Sequence, residues 1–257
     1  RQRQMCIRDR EMIVAIHAVW AAGAQFVPID TGAPADRVRY MSDVAGVSLV
    51  LVGPGPIPDG IAALPDVRTL TVDAATAVDL SVVDSTAVAP VTADDRRATV
   101  LPEHAAYTIF TSGSTGRPKG VTVSRRALST HLAFDRDYYG FGPDDVVLQQ
   151  LEYTFDPAII EIVRPVVCGG RLVLLHPGEH RDPVLVTRRM IDHGVTSATL
   201  VPSVLGAMAE IVDESDLAEL TALRLLHTGG EALTRPVADA IGRLLPATEL
   251  YNQYGPT

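Results

Sequence analysis

The run Thr111-Ser112-Gly113-Ser114-Thr115-Gly116-Arg117-Pro118-Lys119-Gly120 packs four hydroxyls, three glycines and a lysine into ten residues. Each of these parts suits an anion. Glycine has no Cβ, so backbone N–H groups can turn inward around a phosphate. Hydroxyls add donors, Lys119 adds a point charge, and Pro118 fixes φ just before it. An ordinary Gly/Ser turn has fewer donors and no need of a lysine. The run is not the Walker pattern, which ends in Gly-Lys followed by Ser or Thr. Lys119 instead follows Pro118 and precedes Gly120. A phosphate cradle without P-loop chemistry is expected.

Further polar groups recur downstream, each just past an apolar run. Phe155-Asp156 comes after Val146–Gln149, and Pro202 comes after Thr196–Val201. Thr228-Gly229-Gly230-Glu231 comes after Leu223–His227, and Asn252-Gln253-Tyr254-Gly255 after Thr248–Tyr251. Loops that merely reverse the chain would not carry this bias.

The elements that must position these groups alternate along the chain. Strand-like runs are Val47–Val52, Ala106–Phe110, Val146–Gln149, Arg171–Leu175, Thr196–Val201, Leu223–His227 and Thr248–Tyr251. Helical spacing marks Glu11–Ala22, Ser124–Tyr138, Pro157–Val167, Val184–His193, Ser203–Val212 and Arg235–Leu245. Gly53–Gly60 reads as loop, and Asp73–His104 as a surface excursion with a short strand or two. Strand runs without polar alternation predict a mostly parallel α/β sheet covered by helices on both faces. In such sheets ligands bind past the carboxyl ends of the strands. Convergence of the polar groups on one rim is therefore expected.

Composition sets the limits. The chain has 257 residues, 47% of them hydrophobic, enough for a sizeable core. Lys plus Arg number 22 against 31 Asp plus Glu, a net charge of −9. That argues against nucleic acid as a partner, since phosphate neutralisation needs a basic face. No apolar run reaches the length of a membrane span. Two cysteines, Cys6 and Cys168, exclude a disulfide framework and favour a reducing, cytoplasmic compartment. No Cys/His cluster has the spacing of a zinc site, and no metal ligand set is expected within this chain.

Four ordered segments carry a family resemblance. YTIFTSGSTGRPKGV resembles the phosphate loop of adenylate-forming, AMP-binding enzymes, and within them the adenylation domains of nonribosomal peptide synthetases. Ala21–Met41 (AAGAQFVPIDTGAPADRVRYM) resembles that family's AGxxYVPLDPxYPxxR segment, with Phe26 for the usual Tyr. FDPAIIEI (Phe155–Ile162) resembles FDxSxxE, and NQYGPT resembles NxYGPTE without the Glu. The resemblance spans essentially everything after residue 10. It implies the N-terminal core of such an enzyme, without its small C-terminal domain.

The resemblance implies activation of an amino acid by ATP as an aminoacyl-adenylate. The acyl group then passes to the phosphopantetheine thiol of a peptidyl carrier protein, with neighbouring synthetase domains as partners and a secondary metabolite as product. Thr111, Ser112, Gly113, Ser114, Thr115, Gly116 and Lys119 would hold the phosphates. Gly230 and Glu231 would line the adenine and substrate side. Asn252 would meet the adenine edge and Tyr254 its face, beside Gly255. Thr257 would bond the α-phosphate, making it and Lys119 the catalytic pair. Mg2+ would be held by the Glu expected after Thr257. Asp156 would pair with the substrate's α-ammonium, a charge-assisted contact. Read from the residues alone, Asp156 before Pro157 is equally a helix N-cap, and the two roles can coexist. The rest of the selectivity wall would be Pro157, Ile160, Thr199, His227, Gly229 and Gln253.

Two other readings stay open: an acyl- or aryl-CoA ligase of the same superfamily, and a non-catalytic nucleotide-binding fragment. Asp156 and the Val27–Asp30 segment weigh against the ligase. Arg125-Arg126, where the family often has His, is either a solvated helix start or added charge near the phosphates. His17 is expected to be structural, His176 and His180 solvated, and Cys168 a buried small side chain. Arg1–Arg10, with four Arg and one Asp, reads as a tag or cloning scar or else a basic arm. Residues 11–257 are expected to form part of a large domain that would not turn over alone, since the family's catalytic lysine lies in the small domain.

Overall fold

A computed structural model describes residues 10–65, 67–72, 91–96, 98–112, 117–176 and 178–255. The chain divides into two compact units, one ending at His131 and the other beginning at Leu132. Most of the Arg1–Arg10 segment and most of the Asp73–His104 excursion lie outside the described residues. The described residues between 91 and 104 contain no strand.

In the first unit, helix α1 (Arg10–Ala21) buries Met12 and Ile16, one turn apart. Its Trp20 indole N–H donates to the Ala106 carbonyl at 2.7 Å. Helix α2 (Ala35–Ala45) was not expected from the sequence. Its four charged residues, Asp36, Arg37, Arg39 and Asp43, are interleaved with the apolar ones, so the helical period is faint. Pro34 and a left-handed Gly46 (φ 64) nonetheless bracket it. Strand β1 (Leu49–Val52), helix α3 (Asp59–Ala62) and strand β2 (Arg68–Thr71) follow. The strand expected at Val47–Val52 is shorter and not buried on both faces. Among the described residues it pairs with β2 alone, and Leu49 is 45% exposed. The end of the expected Gly53–Gly60 loop is the start of α3.

Strand β3 (Ala105–Thr111) pairs antiparallel with β4 (Lys119–Ser124), an exception to the expected parallel pattern. Strand β4 was masked in the sequence by the glycine signal before it and the helix after it. Its Ser124 Oγ accepts from the Ala127 N–H at 3.2 Å, so Ser124 caps helix α4 (Arg125–Tyr139) rather than starting it.

The second unit continues with β5 (Val146–Gln149), α5 (Asp156–Cys168), β6 (Arg171–Leu174), a 3₁₀ turn (Glu179–Arg181) and α6 (Pro183–His193). It ends with β7 (Ser197–Thr199), α7 (Pro202–Ile211), α8 (Glu214–Ala218), β8 (Leu225–Gly229), α9 (Arg235–Leu244) and β9 (Glu249–Gln253). The strands form one parallel sheet in the order β6-β5-β7-β8-β9. Side chains alternate across it. Leu148, Ala198 and Leu226 join Met190 of α6, Leu205 of α7 and Ile241 of α9. On the opposite face Val147, Leu172 and Leu225 join Phe141 and Cys168.

The amino end of the sheet is closed by charge. Asp145 accepts from Arg224 Nε and Nη2, both at 3.0 Å, from Thr196 Oγ1 at 2.7 Å, and from the Gly142 N–H at 2.8 Å. Burial opposes the Asp145 charge, but these donors hold its carboxyl below the usual range. Arg164 of α5 forms a buried pair with Asp135 at 2.6 Å. The Arg164 and Arg224 guanidiniums lie over the Phe141 ring at 4.4 and 5.0 Å. The carboxyl end has a different character.

Candidate functional site

In the first unit, Thr111 and Lys119 are direct partners at the last rung of the β3–β4 hairpin. Thr111 Oγ1 donates to the Lys119 carbonyl at 3.5 Å. The hairpin thus gathers the two ends of the Gly/Ser/Thr run, and leaves Ser112 and Lys119 exposed at its mouth. Gly113, Ser114, Thr115 and Gly116 lie outside the described residues, as does Thr257. The Ala21–Met41 segment supports this hairpin. Phe26 bridges to Tyr107 of β3, and Gln25 Oε1 accepts from Thr108 Oγ1 at 3.0 Å. Arg125 and Arg126 each have a protein partner, and Arg126 stays exposed. Arg125 donates to the Ala24 carbonyl at 2.8 Å, and Arg126 pairs with Glu103.

In the second unit the chain runs from β5 outward to β6, then returns to lay β7 on the other side of β5. The strand order therefore reverses between β5 and β7. Helix α5 leaves β5 over one face of the sheet, and α7 leaves β7 over the other. Such a reversal opens a crevice at the carboxyl ends. Asp156 follows β5 at this point, and Thr199 ends β7. The Gln150 side-chain amide spans the two strand ends, donating to the Thr199 carbonyl at 2.7 Å.

Asp156 is the first residue of α5 and not its cap; Phe155 holds the N-cap position without a side-chain bond. The N-cap reading is thereby corrected: the helix begins one residue early, with Pro157 in its first turn, where the missing N–H costs no helical bond. Asp156 and Ile160 are half-buried, and Pro157 is exposed.

Thr199, His227 and Tyr251 lie side by side on successive strands, as do Gly229 and Gln253 two residues further along β8 and β9. Asn252 pairs with Thr228. Asn252 and Gln253 are therefore strand residues rather than turn. Gly229 is required here, since a Cβ would lie 2.5 Å from the Gln253 carbonyl oxygen. Gly230 is left-handed, with φ 81. Glu231 accepts from the Ser203 N–H at 3.0 Å and from Ser203 Oγ at 3.1 Å, tying the β8 turn to the start of α7. Tyr254 and Gly255 are exposed.

His227 is fully buried. Gln253 Nε2 lies 3.1 Å from its Nδ1. An amide nitrogen can only donate, so Nδ1 accepts and Nε2 carries the proton. The rings of Tyr139 and Tyr251 pack against the imidazole at 4.8 and 5.8 Å. Burial, reinforced by the Arg164 and Arg224 charges, lowers its pKa to about 3, so the ring is neutral.

Sequence reasoning gave no role to Glu161, Gln150 or Ser203, although each helps hold the carboxyl-end turns. Glu161 had entered only as the closing residue of the FDxSxxE likeness, and a lone acid inside the apolar run Ala158–Val163 was the further signal. His17 packs edge-on against Trp20 at 5.7 Å, as a structural side chain would. His176 is exposed, but His180 is half-buried and accepts from Arg181 Nε at 3.3 Å. Cys168 is half-buried, its thiol pKa pushed up by burial. Among the described residues no three of His, Cys, Asp and Glu come together to hold a metal ion, and no helix is long and apolar enough to cross a membrane.

The model of the AMP-binding enzyme family matches residues 5–257. Phosphinothricin tripeptide synthetase PhsB of Streptomyces viridochromogenes is 36% identical over 98% of this chain, which covers 20% of that protein. Enterobactin synthase component F of Escherichia coli is 34% identical over 96% of the chain, covering 18% of that protein. The chain thus spans about a fifth of the length of these relatives. The nonribosomal peptide synthetase FmoA3, in its α-methyl-L-serine-AMP bound form, superposes with a TM-score of 0.77 at 25% identity, over 96% of this chain and 26% of that one. A malonyl-CoA ligase with methylmalonyl-CoA and AMP bound gives 0.78 at 26% identity, over 97% of this chain and 50% of that one. The chain belongs to the AMP-binding enzyme family.

Proposed function

We propose that this chain is part of the large domain of an adenylate-forming ligase, namely a nonribosomal peptide synthetase adenylation domain. In this reading an amino acid carboxylate attacks the α-phosphorus of ATP. The α–β anhydride bond breaks and pyrophosphate leaves. A carrier-protein phosphopantetheine thiol then loses its proton and attacks the acyl carbon, releasing AMP. Thr111, Ser112, Lys119 and the glycine run between them would grip the phosphates. Gly230, Asn252, Tyr254 and Gly255 would meet the nucleoside, and Thr257 the α-phosphate. Glu231, both of whose oxygens accept from Ser203, would fix the turn that lines the adenine and substrate side. ATP would arrive with Mg2+, and no group of described residues fits that ion. The two-cysteine composition favours a cytoplasmic setting.

The observation that carries the reading is the position of Asp156. It stands at the reversal point of the strand order, at the head of the helix that follows β5. A carboxylate there suits an α-ammonium group, and the relatives named as peptide synthetases fit amino acid activation. The likeness to a malonyl-CoA ligase makes a second reading specific: a CoA ligase on the same fold would not need that carboxylate. Pyrophosphate exchange by the full-length protein separates the two, run with a panel of amino acids and of fatty and aryl acids. Asp156→Ala should cost amino acid kcat/KM about two to four decades, the worth of a broken buried charge pair. Exchange driven by fatty or aryl acids, unaffected by that substitution, would select the CoA ligase.

A further inference from the structure

Asp156 can read an ammonium group only if the five-residue turn before it, residues 151–155, is held still. The sequence supplies no side-chain cap for the helix it starts, because Phe155 occupies the N-cap. The hydrogen bonds at the other end of that turn identify what holds it.

Glu161 is 1% exposed and sits among Ala158, Ile159 and Ile162, each at 0%. A carboxylate in such surroundings costs free energy unless hydrogen-bonded. Its Oε2 accepts from the Gln150 N–H at 3.2 Å and the Leu151 N–H at 3.1 Å. These are the first two backbone groups past β5, where the ladder has ended and their donors need a partner. Gln149 Nε2 donates to the Leu151 carbonyl at 2.6 Å, so both backbone polar groups of Leu151 are held. The Phe155 N–H closes the far end on the Glu152 carbonyl at 2.9 Å. An apolar side chain of similar volume would fill the same space but would accept neither N–H.

We infer that Glu161 is a positioning residue, fixing helix α5 against the end of β5 so that Asp156 meets the substrate ammonium at the crevice. The inference rests on the reading of Asp156 given above. Glu161 and Asp156 ride on one helix, five residues and about 7.5 Å of rise apart. Releasing Glu161 from Gln150 and Leu151 frees that helix to slide along β5 and carries Asp156 with it. The same bonds set Gln150, whose side chain reaches β7. The helix, the turn and both strand ends thus share one anchor.

The test compares the preferred amino acid with its des-amino analogue, the same acid lacking the ammonium, in pyrophosphate exchange by the full-length protein. Wild type should prefer the amino acid strongly. Glu161→Leu should erase about tenfold or more of that preference through the amino acid KM, the worth of hydrogen bonds to a charged group. The ATP KM should stay within about twofold, because none of the residues assigned to the phosphates lies on α5. Glu161→Gln keeps one oxygen that can accept both N–H groups, so it should restore most of the preference. A lower melting temperature with unchanged preference in Glu161→Leu would overturn the inference and make Glu161 a core residue only. The same holds if Glu161→Gln is as damaging as Glu161→Leu, or if neither variant folds. A wild type indifferent to the ammonium would instead sink the Asp156 reading, and this inference with it.

Discussion

Acidification from about pH 7 to about pH 5 should destabilise the second unit through His227. The folded ring is neutral because it is buried, accepts from Gln253, and has the Arg164 and Arg224 charges nearby. Its pKa falls from 6.5 to about 3. Unfolding returns the ring to water, where it takes up a proton below its ordinary pKa. The unfolded state therefore binds more protons between those two values. Stability from this group is complete above pH 6.5 and is lost progressively as pH falls toward 3. At about pH 5 the loss is roughly 1.5 pKa units, or about 2 kcal/mol. Carboxylates held low, such as Asp145, begin to cost stability only near and below their ordinary pKa of 3.8. The window between about pH 7 and pH 5 therefore belongs to histidine. Urea unfolding followed by far-UV circular dichroism would measure the difference for wild type and for His227→Gln, which cannot titrate but can still accept from Gln253. The variant should lose about 2 kcal/mol less than wild type over that interval. Equal losses, or a His227 imidazole that titrates by NMR near its ordinary pKa, would refute the reasoning.

Gly229→Ala should force β8 and β9 apart, since its Cβ would meet the Gln253 carbonyl oxygen at 2.5 Å. A loss of about 1–3 kcal/mol in thermal unfolding is expected, together with a raised amino acid KM. Gly242→Ala in α9, with open space around it, should be stabilising by about 0.5–1 kcal/mol. Arg164→Met would bury Asp135 without its guanidinium and should cost about 3–5 kcal/mol, with Arg164→Met/Asp135→Leu regaining most of it. Lys119→Ala in the full-length protein should raise the ATP KM by roughly tenfold or more while leaving melting temperature unchanged. Unaltered ATP kinetics would remove Lys119 from the phosphate site.

The second unit was the more legible half. Its strands are short apolar runs between capped, amphipathic helices, and the alternation alone gave a parallel sheet with polar turns at the carboxyl ends. The start of β5 at Val146 and the stop of α6 at His193 agree with the sequence reading. The first unit was less legible because its signals are weak or overlap. Helix α2 interleaves charged with apolar residues, β1 is half-exposed on a two-stranded sheet, and β4 lies between a glycine run and a helix.

Local patterning was enough to establish residue types: a glycine-hydroxyl-lysine run between two strands, an Asp before a Pro at a helix start, and paired glycines after an apolar strand. Those features follow from backbone chemistry within a few residues, which a sequence displays directly. Tertiary structure alone decided the partners. Strand order put Thr199 beside His227 and reversed direction at β5 and β7, and no local signal encodes order. It also turned His227 into a buried, neutral ring and set Glu231 on Ser203. Glu161 became an anchor for the same reason. Such roles depend on burial and on which N–H groups lack a partner, and both are settled only when distant segments pack.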